Sequence, residues 1–171
     1  MRRFLSAVAM LAILAGCGGG GGGNKTPEPT FRVDTDLDGA VYTYRIGTTT
    51  FGCTYEPNSE LALCIISAAG VNPFAFFGPV SSDGLTIFVQ LSAFDSDGDG
   101  DFLEELSLPV ASGSRVDFAD DGSSVTVDVT LNLDPSNPQR LFGVGDLIST
   151  GGTSASMRTA MRLAEQSGIG K

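Results

Sequence analysis

The chain has 171 residues, with 20 acidic against 10 basic side chains and a formal charge of -10. Nucleic-acid binding needs a basic footprint, and this sequence has none to offer. Histidine is absent, which removes Ser-His-Asp and Cys-His catalysis and histidine-ligated zinc from consideration.

The chain opens on Arg2 and Arg3, and residues 4–15 are almost wholly apolar, followed by Leu14-Ala15-Gly16-Cys17 at the end of that run. Twelve residues are too few for a membrane-spanning helix, which needs about 20. A basic start, a short apolar core and small residues before a cut is the order of a secretory signal. Leu14-Ala15-Gly16-Cys17 resembles the lipobox of bacterial lipoproteins. The resemblance implies that residues 1–16 are removed, that Cys17 becomes a lipidated N-terminus, and that the acyl chains hold the protein to a membrane. Gly18, where an Asp tends to retain lipoproteins at the inner membrane, implies the outer membrane. An ordinary secretory signal with a coincidental cysteine is the alternative.

Residues 17–30 read as a tether. Gly18 to Gly23 is an unbroken glycine run, and Pro27 and Pro29 follow. Glycine chains are flexible coils and proline-rich ones are extended. Asn24, not glycine, precedes Lys25-Thr26, so the run lacks the Gly-Lys-Ser/Thr of a P-loop, and no strand precedes it; it is no phosphate loop. Residues 31–171 are then one domain, large enough for a core.

Within it, apolar and polar residues alternate with the period of strands. Tyr42, Tyr44 and Ile46 share one side of the first. Phe51, Cys53 and Tyr55 share a side of the next, and Ala62, Cys64 and Ile66 of the one after. With Pro57-Asn58-Ser59-Glu60 as a hairpin loop, Cys53 falls opposite Cys64. Directly opposed residues approach to a separation a disulfide can bridge, and an exported chain is in an oxidising compartment. A redox-active pair is the alternative, without a C-x-x-C motif to support it.

Residues 72–79, Asn-Pro-Phe-Ala-Phe-Phe-Gly-Pro, read as a proline-bounded loop. Its phenylalanines either plug one end of the core or form an exposed aromatic grip. Leu85, Ile87, Val89 and Leu91 alternate, and Phe88 gives that strand a second apolar face, which predicts a central strand. Val125, Val127, Val129, Leu131 and Leu133 make the cleanest strand, with one wet face. Val116 and Phe118 lead into it through Asp121-Gly122, a hairpin turn signal. Near the end, Met157, Ala160, Met161 and Ala164 recur at helical spacing, and Arg158, Arg162 and Glu165 take the other side. A helix over 154–167 follows, capped by Thr153 or Ser154 and ended by Gly168. It either packs on the sheet or binds a partner. The fold class is all-β, an antiparallel β-sandwich or small β-barrel with a short C-terminal helix.

One stretch carries recognisable chemistry. Asp95-Ser96-Asp97-Gly98-Asp99-Gly100-Asp101-Phe102-Leu103-Glu104-Glu105-Leu106 resembles an EF-hand calcium loop. Calcium takes six to eight hard oxygens, and carboxylates at loop positions 1, 3 and 5 converge when a glycine at 6 allows the turn. The resemblance assigns these to Asp95, Asp97, Asp99 and Gly100, a backbone carbonyl to Asp101, and the apolar position 8 to Phe102. The closing position 12 is Leu106 rather than glutamate. Glu104 and Glu105 come early, so the pattern implies a looser calcium loop between strands, of weak affinity. Asp34, Asp36, Asp38 and Gly39 repeat the pattern less well, because Arg45 sits at its position 12.

With no histidine, and lysines only at Lys25 and Lys171, no enzyme is expected; paired carboxylates of the glycosidase type are the catalytic alternative, with no particular pair indicated. It reads as a lipid-anchored envelope protein, with calcium as its possible cofactor and a protein partner it does not identify. A β-barrel carrier for a small apolar ligand is the alternative. Val127 and Leu131 separate the two, by meeting either a filled core or a cavity.

Overall fold

The computed structural model describes residues 29–102, 106–132 and 137–167. Cys17 with the segments on either side of it, Glu104, Glu105, Leu133 and Gly168 lie outside the described residues, as do the side chains of Ala164 and Glu165. A single turn of helix, α1 (Val33–Asp36), precedes ten strands: β1 (Ala40–Ile46), β2 (Thr49–Glu56), β3 (Leu61–Ala68), β4 (Val71–Pro79), β5 (Thr86–Phe88), β6 (Leu91–Phe94), β7 (Leu106–Leu108), β8 (Arg115–Phe118), β9 (Ser124–Leu131) and β10 (Gln139–Gly152). Helix α2 (Ala155–Ser167) closes the chain.

All ten strands belong to one antiparallel sheet, in the order β5-β8-β9-β10-β1-β2-β3-β4-β6-β7. The sheet curls. β5 and β6 are the two halves of one bent strand, and β4 meets both of them. Val80, one residue past β4, bridges to Ile87 of β5, and the Gln90 N–H, just before β6, donates to the Phe77 carbonyl of β4 at 2.8 Å. Val110 of the β7–β8 connection likewise bridges to Leu131 of β9. The predicted all-β antiparallel class holds, in its barrel-like form rather than as two stacked sheets.

Curling gives the sheet an inside and an outside. Tyr44, Phe51, Phe76, Val116, Val125, Val127, Val129 and Leu131 fill the inside. β9 is buried at every second residue, as its sequence predicts. The hairpin before it turns at Gly122, whose φ of +71° suits glycine. The outside carries a second cluster, where Val41, Leu63, Ile65, Ala75 and Phe77 meet Phe102 and, from α2, Met157 and Ala160. Ser154 caps α2, its hydroxyl accepting the Met157 N–H at 3.2 Å. The helix packs on the sheet, the first of the two roles its spacing allows.

Cys53 pairs directly with Cys64 across β2 and β3, with Cα atoms 4.2 Å apart, and the two form a disulfide. Both residues are buried in the inner cluster, which makes the bridge part of the core.

Two expectations need correction. Residues 72–79 are strand, not loop, and the phenylalanines divide between faces: Phe76 in the inner cluster, Phe77 in the outer. The prolines are tolerated because Pro73 lies where the β3–β4 register shifts and Pro79 ends the strand. Phe88, in turn, is 49% exposed. The strand breaks after it and changes faces, so Ile87 and Val89 point into the inner cluster while Leu91 and Ala93 join the outer one. Alternation from Leu85 to Leu91 does not survive that bend.

Candidate metal site

β6 ends at Phe94, and the connection to β7 begins with Asp95. Asp95 is fully buried. Its two carboxylate oxygens accept the N–H groups of Gly98 at 2.6 Å and Gly100 at 2.9 Å. Both glycines have positive φ, +81° and +82°, so the backbone can wrap the carboxylate. The pattern continues outward: Asp97 accepts the Asp99 N–H at 3.2 Å, and Asp99 accepts the Asp101 N–H at 2.7 Å. One oxygen from each of Asp95, Asp97 and Asp99 lies within 4.8 Å of the others. Three carboxylates at that spacing repel one another, and a divalent cation with a preference for hard oxygen relieves the repulsion.

The loop is braced from outside. Asp95 donates its N–H to the Pro73 carbonyl at 3.1 Å. The Asn72 side-chain amide donates to the Ser96 carbonyl at 2.8 Å, across 24 residues of sequence. The Thr159 hydroxyl, on α2, donates to the Gly100 carbonyl at 3.1 Å, across 59 residues. Phe102, at the apolar position of the loop pattern, is fully buried in the outer cluster. Sequence spacing finds the three aspartates and Phe102. It gives no sign of Asn72 or Thr159, since neither lies in the motif.

The flanking elements are strands, β6 and β7, which pair at Phe94–Leu106. This is a hairpin loop rather than a helix–loop–helix unit. Asp101 is half-buried beside the triad.

The second acidic stretch folds differently. Asp34 and Asp36 lie in α1. The Arg32 guanidinium holds Asp34 in a two-pronged contact at 3.0 and 2.7 Å, and the Arg32 N–H donates to Asp36 at 2.7 Å. Leu37 is fully buried. The carboxylates are turned to an arginine, so the weaker calcium reading of Asp34, Asp36 and Asp38 is not supported. Among the described residues, the Asp95 group is the one in which three such side chains converge.

Val127 and Leu131 meet a filled core, at 1% and 2% exposure. A cleft of about 150 Å³ reaches Val127 between Ile46, Thr49, Ile66, Leu141, Phe142 and Gly143. That is below the ~300 Å³ at which small-molecule sites begin. No protein-family model, curated protein or solved structure matches the chain.

Proposed function

We propose that this chain is a non-catalytic, lipid-anchored protein of the bacterial envelope, whose curled sheet is stabilised by weak calcium binding in the β6–β7 loop and presents a surface to an envelope partner. The observation that carries the calcium reading is the convergence of Asp95, Asp97 and Asp99 within 4.8 Å. The lipid anchor is supported by Leu14-Ala15-Gly16-Cys17 and the glycine run after it. The carrier reading loses support from the filled interior around Val127 and Leu131.

The deciding experiment is calcium titration of residues 31–171 by calorimetry, with thermal melts in calcium and in chelator. Binding is expected at a dissociation constant on the order of 10⁻⁴–10⁻³ M, as in extracellular calcium modules, with loss on Asp97→Ala and a melt raised by calcium. No heat and no shift at millimolar calcium would make the loop a hydrogen-bonded turn and nothing more. Separately, Cys17→Ser is expected to release the protein from membranes. Persistent membrane fractionation of that variant would remove the anchor.

A further inference from the structure

We propose that β10 carries a docking edge for a second copy of this chain, the two paired strand to strand about a two-fold axis. β10 is a 14-residue strand that serves two neighbours in series. From Gln139 to Asp146 it pairs with β9, and from Asp146 to Gly152 with β1. β1 stops at Ile46 and the chain turns back into β2. Among the described residues, no strand therefore lies along 139–144 on the β1 side. Successive residues of an antiparallel strand direct their N–H and C=O groups to alternate sides, so about half of the polar groups in this segment face away from β9. An unpaired row of this kind is a template for another strand.

The side chains suit a strand partner. Arg140, Phe142 and Val144 share the outer face, and Phe142 and Val144 are 63% and 60% exposed. The segment has no lysine and no proline, the usual residues that blunt a free edge. Its one charge, Arg140, is held by Asp128 at 2.7 Å and lies over the Phe142 ring at 5.0 Å. In a chain with 20 acidic residues, 139–145 has none, so two copies can meet there without carboxylates in opposition. Antiparallel pairing about a two-fold axis sets the same segment against itself, and brings Phe142 and Val144 of one copy beside those of the other. The glycine-rich stretch 18–23 has no side chains to match that face, which disfavours the chain's own tether as the occupant.

The test is sedimentation velocity of the full chain carrying Cys17→Ser, from micromolar to near-millimolar concentration, with amide hydrogen exchange at both ends of the range. The mass is expected to double with concentration, and amides within 139–144 to gain protection as it does. Val144→Lys, alone and with Phe142→Lys, replaces exposed side chains. Each variant should keep the melting temperature and weaken self-association by about tenfold or more, through like charges set side by side. A mass that stays monomeric throughout would overturn the proposal. So would a dimer that survives both variants with the 139–144 amides still exchanging freely.

Discussion

The hydroxyl of Tyr44 donates to the carbonyl of Gly122 at 3.0 Å, joining β1 to the β8–β9 turn across 78 residues of sequence. Tyr44 is fully buried, and its ring meets Phe118 edge-on at 5.8 Å. Burial pushes its phenol well above the ordinary tyrosine range, with Tyr42 and Asp121 adding to the shift. The folded value is thus above the unfolded one of about 10. Stability from this group is fully present below about pH 10 and is lost as the pH rises beyond it, because the unfolded chain ionises first. Denaturant midpoints are expected to fall above pH 10. Tyr44→Phe should cost about 1–3 kcal/mol at neutral pH, from the unsatisfied Gly122 carbonyl, and should remove most of the alkaline fall. Tyr55 is also raised, by partial burial and nearby acids, and contributes in the same direction. An alkaline fall unchanged in Tyr44→Phe would contradict this.

The disulfide closes a short loop, since Cys53 and Cys64 are 11 residues apart. The chain-entropy estimate for so small a loop is up to about 3 kcal/mol. The double variant Cys53→Ala, Cys64→Ala should lower the urea midpoint accordingly. Non-reducing mass analysis of the wild type should recover the two peptides joined.

Gly78 is required by close approach. A Cβ there would overlap the Phe88 carbonyl, which is backbone and unable to swing aside. Gly78→Ala is expected to cost about 1–3 kcal/mol, the range for overpacking. Gly151→Ala, where nothing lies within 4 Å, should change stability by no more than about 0.5 kcal/mol. Paired thermal melts compare the two, and equal losses would remove the steric account.

Phe102→Ala separates the loop's packing from its charge. The side chain is fully buried, and its truncation should cost about 3–5 kcal/mol with or without calcium. Asp97→Ala removes an exposed carboxylate, so the melt in chelator should hardly move while the shift produced by calcium disappears. If Asp97→Ala lowers the chelator melt as far as Phe102→Ala does, the carboxylate is a structural hydrogen-bond acceptor first.

What the sequence revealed depended on range. Alternation along β2, β3 and β9 is a local signal, and it correctly placed Cys53 against Cys64 and Val125 through Leu131 inward. The Asp-Gly turn before β9 and the face of α2 were equally local. The errors at Phe88 and at residues 72–79 have different causes. β4 has a covered outer face, so its apolar residues do not alternate, and its prolines sit at a register shift and at the strand's end rather than in a loop. Phe88 stands before a break where the chain changes faces, which leaves it exposed. The aspartate triad was legible because one short motif holds it. Its braces, Asn72 and Thr159, are set by tertiary packing. So is the arginine that claims Asp34, since nothing in D-x-D-x-D-G tells a helical turn from a metal loop.

Thr159 gives the β6–β7 loop a reach beyond its own hairpin. The helix that donates to Gly100 also shares the outer cluster with Phe102, so the closed loop and the docked C-terminal helix stabilise one another, and that coupling is reciprocal. Loosening the loop shortens the time the helix spends seated, exposing the end of the chain to exchange and to proteases. Fixing the loop does the opposite. An event at three aspartates is thereby readable some sixty residues away, in the lifetime of the C-terminal helix.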